Sequence, residues 1–130
     1  MIFLLDENLS PAVADELNRL GYQARSFRDL GWLGVPDEVW LPRSAQMTDV
    51  LILTCDLNIF RKEQQRPGIT STGVGIVFLT GADEPRESKM RLIVSSYSEL
   101  EELHNNTPRP FAWFLYPDRQ LLDNLDGERL

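Results

Sequence analysis

The chain carries one cysteine and one histidine. Cys55 therefore has no partner for an internal disulfide, and no cysteine–histidine zinc cluster is open to the fold. Its place between an apolar run and an aspartate is that of a small buried side chain. His104, set among Glu101, Glu102 and Asn105, has no partner spacing for catalysis or metal binding and reads as a surface residue. No charged amino-terminal region precedes a long apolar stretch, and no apolar run approaches the ~20 residues that span a bilayer. No membrane segment is expected, and the cytoplasm is the expected compartment. Basic residues are also few, 13 against 20 acids, for a net charge of -7. That balance argues against generic, backbone-driven nucleic-acid binding. It suits a site filled by divalent cations, or a basic protein partner.

What the chain does have is apolar residues in short runs. At 42 % of the sequence they suffice for one core, and the length fits one domain, residues 1–117, with a polar tail over 118–130. Two of the runs, Ile2 to Leu5 and Val50 to Thr54, read as buried strands and lead into Asp6 and, one residue further on, Asp56. In an open parallel α/β sheet, ligands bind beyond the carboxyl ends of the strands, where the strand order reverses. Carboxylates crowded there repel one another, and a hard divalent cation relieves the repulsion.

Between those strands, Ser10 and Pro11 open a helix, with Val13, Leu17 and Leu20 at helical spacing and Gly21 as its stop. Tyr22 to Phe27 reads as a second strand, and Gly31, Gly34 and Pro36 mark an irregular loop. Asp37 opens a helix that Pro42 should break or kink. After the third strand a short helix is expected from Phe60 to Gln65, then a fourth strand at Ile76 to Leu79. A helix carrying Met90, Ile93, Val94 and Tyr97 follows, with Leu100 and Leu103 extending or following it, and a last strand runs from Phe111 to Tyr116. This alternation predicts βαβ units with right-handed crossovers: a three-layer α/β/α sandwich around a mainly parallel sheet of about five strands. The tail, with Leu121, Leu122 and Leu125 as apolar anchors, is either a frayed terminus or a short partner-binding helix.

The series Leu4-Leu5-Asp6-Glu7-Asn8-Leu9-Ser10-Pro11, Leu20-Gly21-Tyr22, Pro36-Asp37-Glu38-Val39-Trp40 and Leu53-Thr54-Cys55-Asp56 resembles the small PIN-like domains of bacteria. These are a branch of the PIN ribonuclease superfamily that includes VapC-type toxins. The resemblance covers the first half of the chain; the later half agrees only in the order of its elements. It implies a metal-dependent endoribonuclease, the toxin of a toxin–antitoxin pair, with Asp6, Asp37 and Asp56 as catalytic acids holding Mg²⁺ or Mn²⁺. Glu7, Glu38 and Asn58 are further candidate ligands. Many such domains carry an acid where this chain has Asn58, so a second ion should bind more weakly. The resemblance further implies an RNA substrate, a cognate antitoxin and self-association.

Arg28, Arg61 and Lys62 are candidate phosphate contacts, with Arg25 beside them. Trp32 and Trp40 flank the expected cleft and fit core packing better than base stacking. Trp113 and Phe114 on the last strand are candidates for a self-association surface. Three rival accounts stand beside the nuclease. In the plainest, Asp6 and Asp56 only cap the turns after their strands. A catalytically degenerate PIN-like protein-binding module would fit Asn58. A phosphotransfer domain would also place an acid after its first strand, but it wants a lysine soon after a later strand, and here none follows the fourth strand before Lys89.

Overall fold

A computed structural model describes residues 1–61 and 72–123 of the chain. Strand β1 (Ile2–Leu5) leads into helix α1 (Pro11–Arg19), strand β2 (Ala24–Ser26), the single-turn α2 (Phe27–Leu30) and α3 (Asp37–Ala45). Strand β3 (Val50–Thr54), α4 (Asn58–Arg61), β4 (Gly75–Leu79), α5 (Arg86–Ser95), α6 (Tyr97–Asn106), β5 (Phe111–Leu115) and β6 (Leu121–Asp123) complete the order. The strands form one sheet in the order β2-β1-β3-β4-β5-β6, parallel throughout except for β6, which runs antiparallel to β5. No helix among the described residues is long and apolar enough to cross a membrane.

Side chains alternate between the faces of this sheet, and both faces are apolar. Phe3, Leu5, Leu51, Leu53, Val77 and Leu115 point to one face, where Val13 and Leu17 of α1, Ile93 of α5 and Leu100 and Leu103 of α6 cover them. Leu4, Ile52, Ile76, Phe78 and Phe114 point to the other, beneath Phe27 of α2, Trp40 and Leu41 of α3 and Ile59 of α4. The sandwich is therefore three-layered, as the alternating elements predict.

Several expected details change. The second strand is shorter than Tyr22 to Phe27, because Ser26 caps α2 in a reciprocal capping box with Asp29. Helix α3 continues through Pro42. The carbonyl that loses its helical donor there belongs to Glu38, which is exposed. Of the two arrangements expected for Leu100 and Leu103, the structure has the second: they lie on a helix of their own, which follows the first at Ser96. Of the helix expected from Phe60 to Gln65, the described part is α4, and residues 62–71 lie outside the described residues. The polar tail contributes β6, so six strands are present where about five were expected, while residues 124–130 lie outside the described residues. With β6 on its edge, β5 does not end the sheet: Phe114 is fully buried and Trp113 half-buried.

The crossovers do not all share one hand. The connection through α1 steps from β1 to β2 over one face, and that through α3 steps the opposite way, from β2 to β3, over the other face. Those two have the same hand. The connection through α5 and α6 steps from β4 to β5 in the direction of the α3 connection, yet over the face used by α1, so its hand is reversed. The physical reason is coverage: α2, α3 and α4 already occupy one face, and Phe3, Leu51, Val77 and Phe111 still need a lid on the other.

Gly75 opens β4 opposite Phe111, whose ring lies across the glycine under the Arg109 guanidinium, 5.4 Å from the ring centroid. A Cβ at position 75 would stand 2.5 Å from Phe111 Cζ. Gly75→Ala should therefore destabilise the fold by about 1–3 kcal/mol through overpacking, read as a lower urea midpoint at an unchanged slope.

Candidate metal centre

The strand order reverses between β1 and β3, and the register Leu5↔Leu53 places Asp6 beside Thr54 at that point. Asp6 is 3 % exposed. Its Oδ2 accepts the Thr54 hydroxyl at 2.6 Å and the Asn8 amide Nδ2 at 3.2 Å, and its Oδ1 accepts the Asn8 backbone N–H at 3.2 Å. Thr54 Oγ1 in turn accepts the backbone N–H of Asp56 at 2.9 Å. Asn8 Nδ2 also reaches Asp56 Oδ2 at 3.5 Å, so one neutral amide bridges the two carboxyl groups. Burial pushes the Asp6 carboxyl up to about 6, Asp56 adding a smaller upward push, against the three hydrogen bonds that favour its charged form.

A cleft of about 380 Å³ opens beside this pair. Asp6, Glu7 and Asp56 line it from the strand ends, and Asp37 and Glu38 from the first turn of α3. No described lysine or arginine lines it. Phe27 and Trp40 form its apolar wall. Trp40 is 1 % exposed and packs edge-on against Phe27, as does the half-buried Trp32, so the tryptophans serve packing as expected. Trp40 Nε1 donates to Asp37 Oδ1 at 2.8 Å, which fixes that carboxylate at the cleft rim.

The structure thus gathers Asp6, Asp56, Asp37, Glu38 and Glu7 around one cavity. Glu7 lines the cleft beside Asp6, because β1 ends at Leu5 and the alternation of a strand no longer applies beyond it. Its Oε2 accepts the Gly34 N–H at 3.0 Å, which ties the loop before α3 to the strand end. Asn58 is exposed at the start of α4, outside the cleft lining, and its backbone N–H donates to Asp56 Oδ1 at 3.0 Å. Capping and cleft lining therefore coexist in Asp6 and Asp56: one oxygen of each holds the following turn, and the other meets the Asn8 side chain. Neither Arg25 nor Arg28, of the candidate phosphate contacts, lines the cleft. Arg28 is engaged with Asp15 at 2.7 Å and Asp29 at 3.0 Å and lines no part of the cleft. Two carboxylates within reach satisfy its fork before any phosphate does. Arg25 is exposed on β2, and Arg61 ends α4. Lys62 lies outside the described residues. His104 is also not a simple surface residue. Its side chain is 7 % exposed and stands between Asp49, 2.8 Å from Nε2, and Arg109, 2.7 Å from Nδ1.

Sequence reasoning missed Thr54 and Asn8 as parts of the site. The signal for Thr54 was a hydroxyl closing an otherwise wholly apolar strand; for Asn8 it was an amide two residues after an acid, the spacing of an Asx-turn.

A family model described as PIN like domain matches residues 1–81, the segment that carries every acid of the cleft. The chain belongs to the PIN-like domain family. No curated protein and no solved structure matches the sequence. Domains of this family typically bind divalent metal and are often nucleases. The donor set of this PIN-like domain fits such an ion, since all of its charged groups are hard carboxylate oxygens. Among the described residues no three acids, histidines or cysteines stand close enough to enclose an ion. Mg²⁺ needs no such cage, because it keeps several waters and takes one or two carboxylates together with substrate phosphates.

The raised value of Asp6 has a stability consequence. The native carboxyl holds its proton more tightly than the unfolded chain does, so its contribution is fully present below about pH 4 and is lost as pH rises through about 6. In chelator, wild type should lose about 3 kcal/mol across that window relative to Asp6→Asn. Urea unfolding of both proteins from pH 4 to pH 7 measures the difference, and parallel curves would refute it.

Proposed function

We propose that this PIN-like domain is a metal-dependent endoribonuclease. The observation that supports it most is a cleft at the strand-order reversal lined by five acids and no described base, with one of those acids almost fully buried. Such a site concentrates negative charge with no described cation to offset it, and at the buried Asp6 little water does so either; a divalent cation would. Asp6 and Asp56 are the groups that would hold Mg²⁺ or Mn²⁺, with Asp37 and Glu38 on the opposite rim reaching it through water and Glu7 bracing the loop. The bound ion would supply Lewis-acid activation of water and of a phosphodiester oxygen. The chain's own residues have separate tasks. Thr54 orients Asp6 and fixes the Asp56 backbone, Asn8 keeps the two carboxyl groups in register, and Phe27 and Trp40 exclude water from one side of the cleft. The toxin of a toxin–antitoxin pair is the setting this reading favours, with an antitoxin that covers the acidic cleft by a basic side chain.

A degenerate protein-binding module draws support from one observation: Asn58 adds neither charge nor lining to the cleft. Calorimetric titration with Mn²⁺, with RNA cleavage assayed on the same preparations, separates the two. Wild type should bind Mn²⁺ and cleave RNA, and Asp6→Asn/Asp56→Asn should lose both while keeping its unfolding transition. Binding without cleavage in wild type would favour the module; no binding would leave the acids as turn caps.

A further inference from the structure

An acidic cleft repels the polyanion it is proposed to cut, so affinity for RNA has to come from another surface. The same edge of the sheet carries one. Beyond the ends of β4 and β5 a groove of about 480 Å³ opens between α5 and the β5–β6 turn, with Lys89, Arg91 and Arg119 on its walls. Glu84 and Asp118 also line it, and Asp118 Oδ1 already accepts the Gln120 N–H at 3.0 Å. Among the described residues none of the three cationic side chains forms an ion pair or a hydrogen bond, in contrast with Arg19, Arg28 and Arg109, which all do. Cations here outnumber acids in a chain whose net charge is -7.

Arg119 adds an independent observation. Tyr116 N–H donates to Gln120 O at 2.9 Å, closing a three-residue loop of Pro117, Asp118 and Arg119, and Arg119 has φ 71°. The left-handed position of such a loop normally belongs to glycine. An arginine there strains the backbone, and strain of this kind persists where the side chain is used.

The groove and the cleft are also neighbours. Asp56 follows β3, Gly81 follows β4 and Pro117 follows β5, three adjacent parallel strands, so the two sites are separated by roughly 10 Å at about 4.8 Å per strand. The reversed crossover carries α5 back over β3, and Lys89 lies within electrostatic reach of Cys55, the residue before Asp56.

We propose that this groove binds the phosphodiester backbone of a single RNA strand, through Lys89, Arg91 and Arg119, and delivers the strand to the acidic cleft. The inference rests on the nuclease reading for the identity of the polyanion. Binding of a fluorescein-labelled single-stranded RNA, followed by anisotropy in chelator over a range of salt, tests it. Lys89→Gln/Arg119→Gln should weaken binding at least about tenfold at low salt and lower the slope of log K against log[salt] by roughly 1.4, about 0.7 for each lost phosphate contact. Mn²⁺ affinity should stay at the wild-type value. Arg119→Gly, which suits the left-handed backbone, should raise the melting temperature while weakening RNA binding, a combination that a purely structural arginine would not give. Wild-type affinity and slope in these variants would overturn the groove and leave metal binding and cleavage to judge the nuclease reading alone. Displacement of the RNA by low millimolar inorganic phosphate would also overturn it, reassigning the groove to the free ion. Salt-dependent binding lost in the variants, with no cleavage by wild type, would keep the groove and remove the nuclease.

Discussion

A sheet apolar on both faces needs a helical layer on each, and most of the architecture follows from that requirement. Residues alternate so strictly that neighbours in one strand belong to different cores: Leu4 lies with Trp40 and Phe78, Leu5 with Leu17 and Ile93. Apart from its short edge strands, a sheet covered in this way is open only at its strand ends. Polar groups of the parallel strands are therefore driven to those ends, and the carboxyl ends are where Asp6, Thr54 and Asp56 meet. The hydrogen bond from Thr54 to Asp6 joins β1 to β3 at the point where the chain changes direction across the sheet. Once these two side chains are locked, the loop before α3 is placed by Glu7 and the first turn of α3 by Asp37 with Trp40.

The charge of the molecule is divided along that edge. Acids collect at β1 and β3, and Lys89, Arg91 and Arg119, which have no partner among the described residues, collect beyond β4 and β5. A net charge of -7 conceals this division, because the sum weights exposed acids elsewhere, such as Glu101 and Glu102, as heavily as the cleft. On the proposed reading, a groove of modest positive charge beside an acidic cleft would handle a polyanion in two parts: one would hold the strand, and the other would receive the bond to be cut.

Much of this was legible in the sequence wherever a local rule governs. Ser10-Pro11 begins α1, Gly21 with φ 96° follows its cap, and the run Val50 to Thr54 is β3 to the residue. The acids of the cleft were legible for the same reason, since an aspartate beyond a buried strand has few places to go. What stayed hidden depends on partners distant in the chain. Arg28 looked available for phosphate until Asp15, thirteen residues earlier, took its guanidinium. His104 looked exposed until Asp49 and Arg109 closed around it. The strand β6 had no periodic signal, because three residues are too few to show one, and the reversed hand of the last crossover is a property of layer coverage that no local pattern encodes.

The described sheet ends on both sides in strands of three residues, β2 and β6. Each presents too short a row of free backbone groups to template a further strand. Extension of the sheet by a second copy, or by an inserted peptide, therefore gains few hydrogen bonds. Association through helices and loops has no such handicap, and on one side those loops are the walls of the acidic cleft. A protein that binds this surface would silence the site by shape as well as by charge, with no change in the fold beneath it.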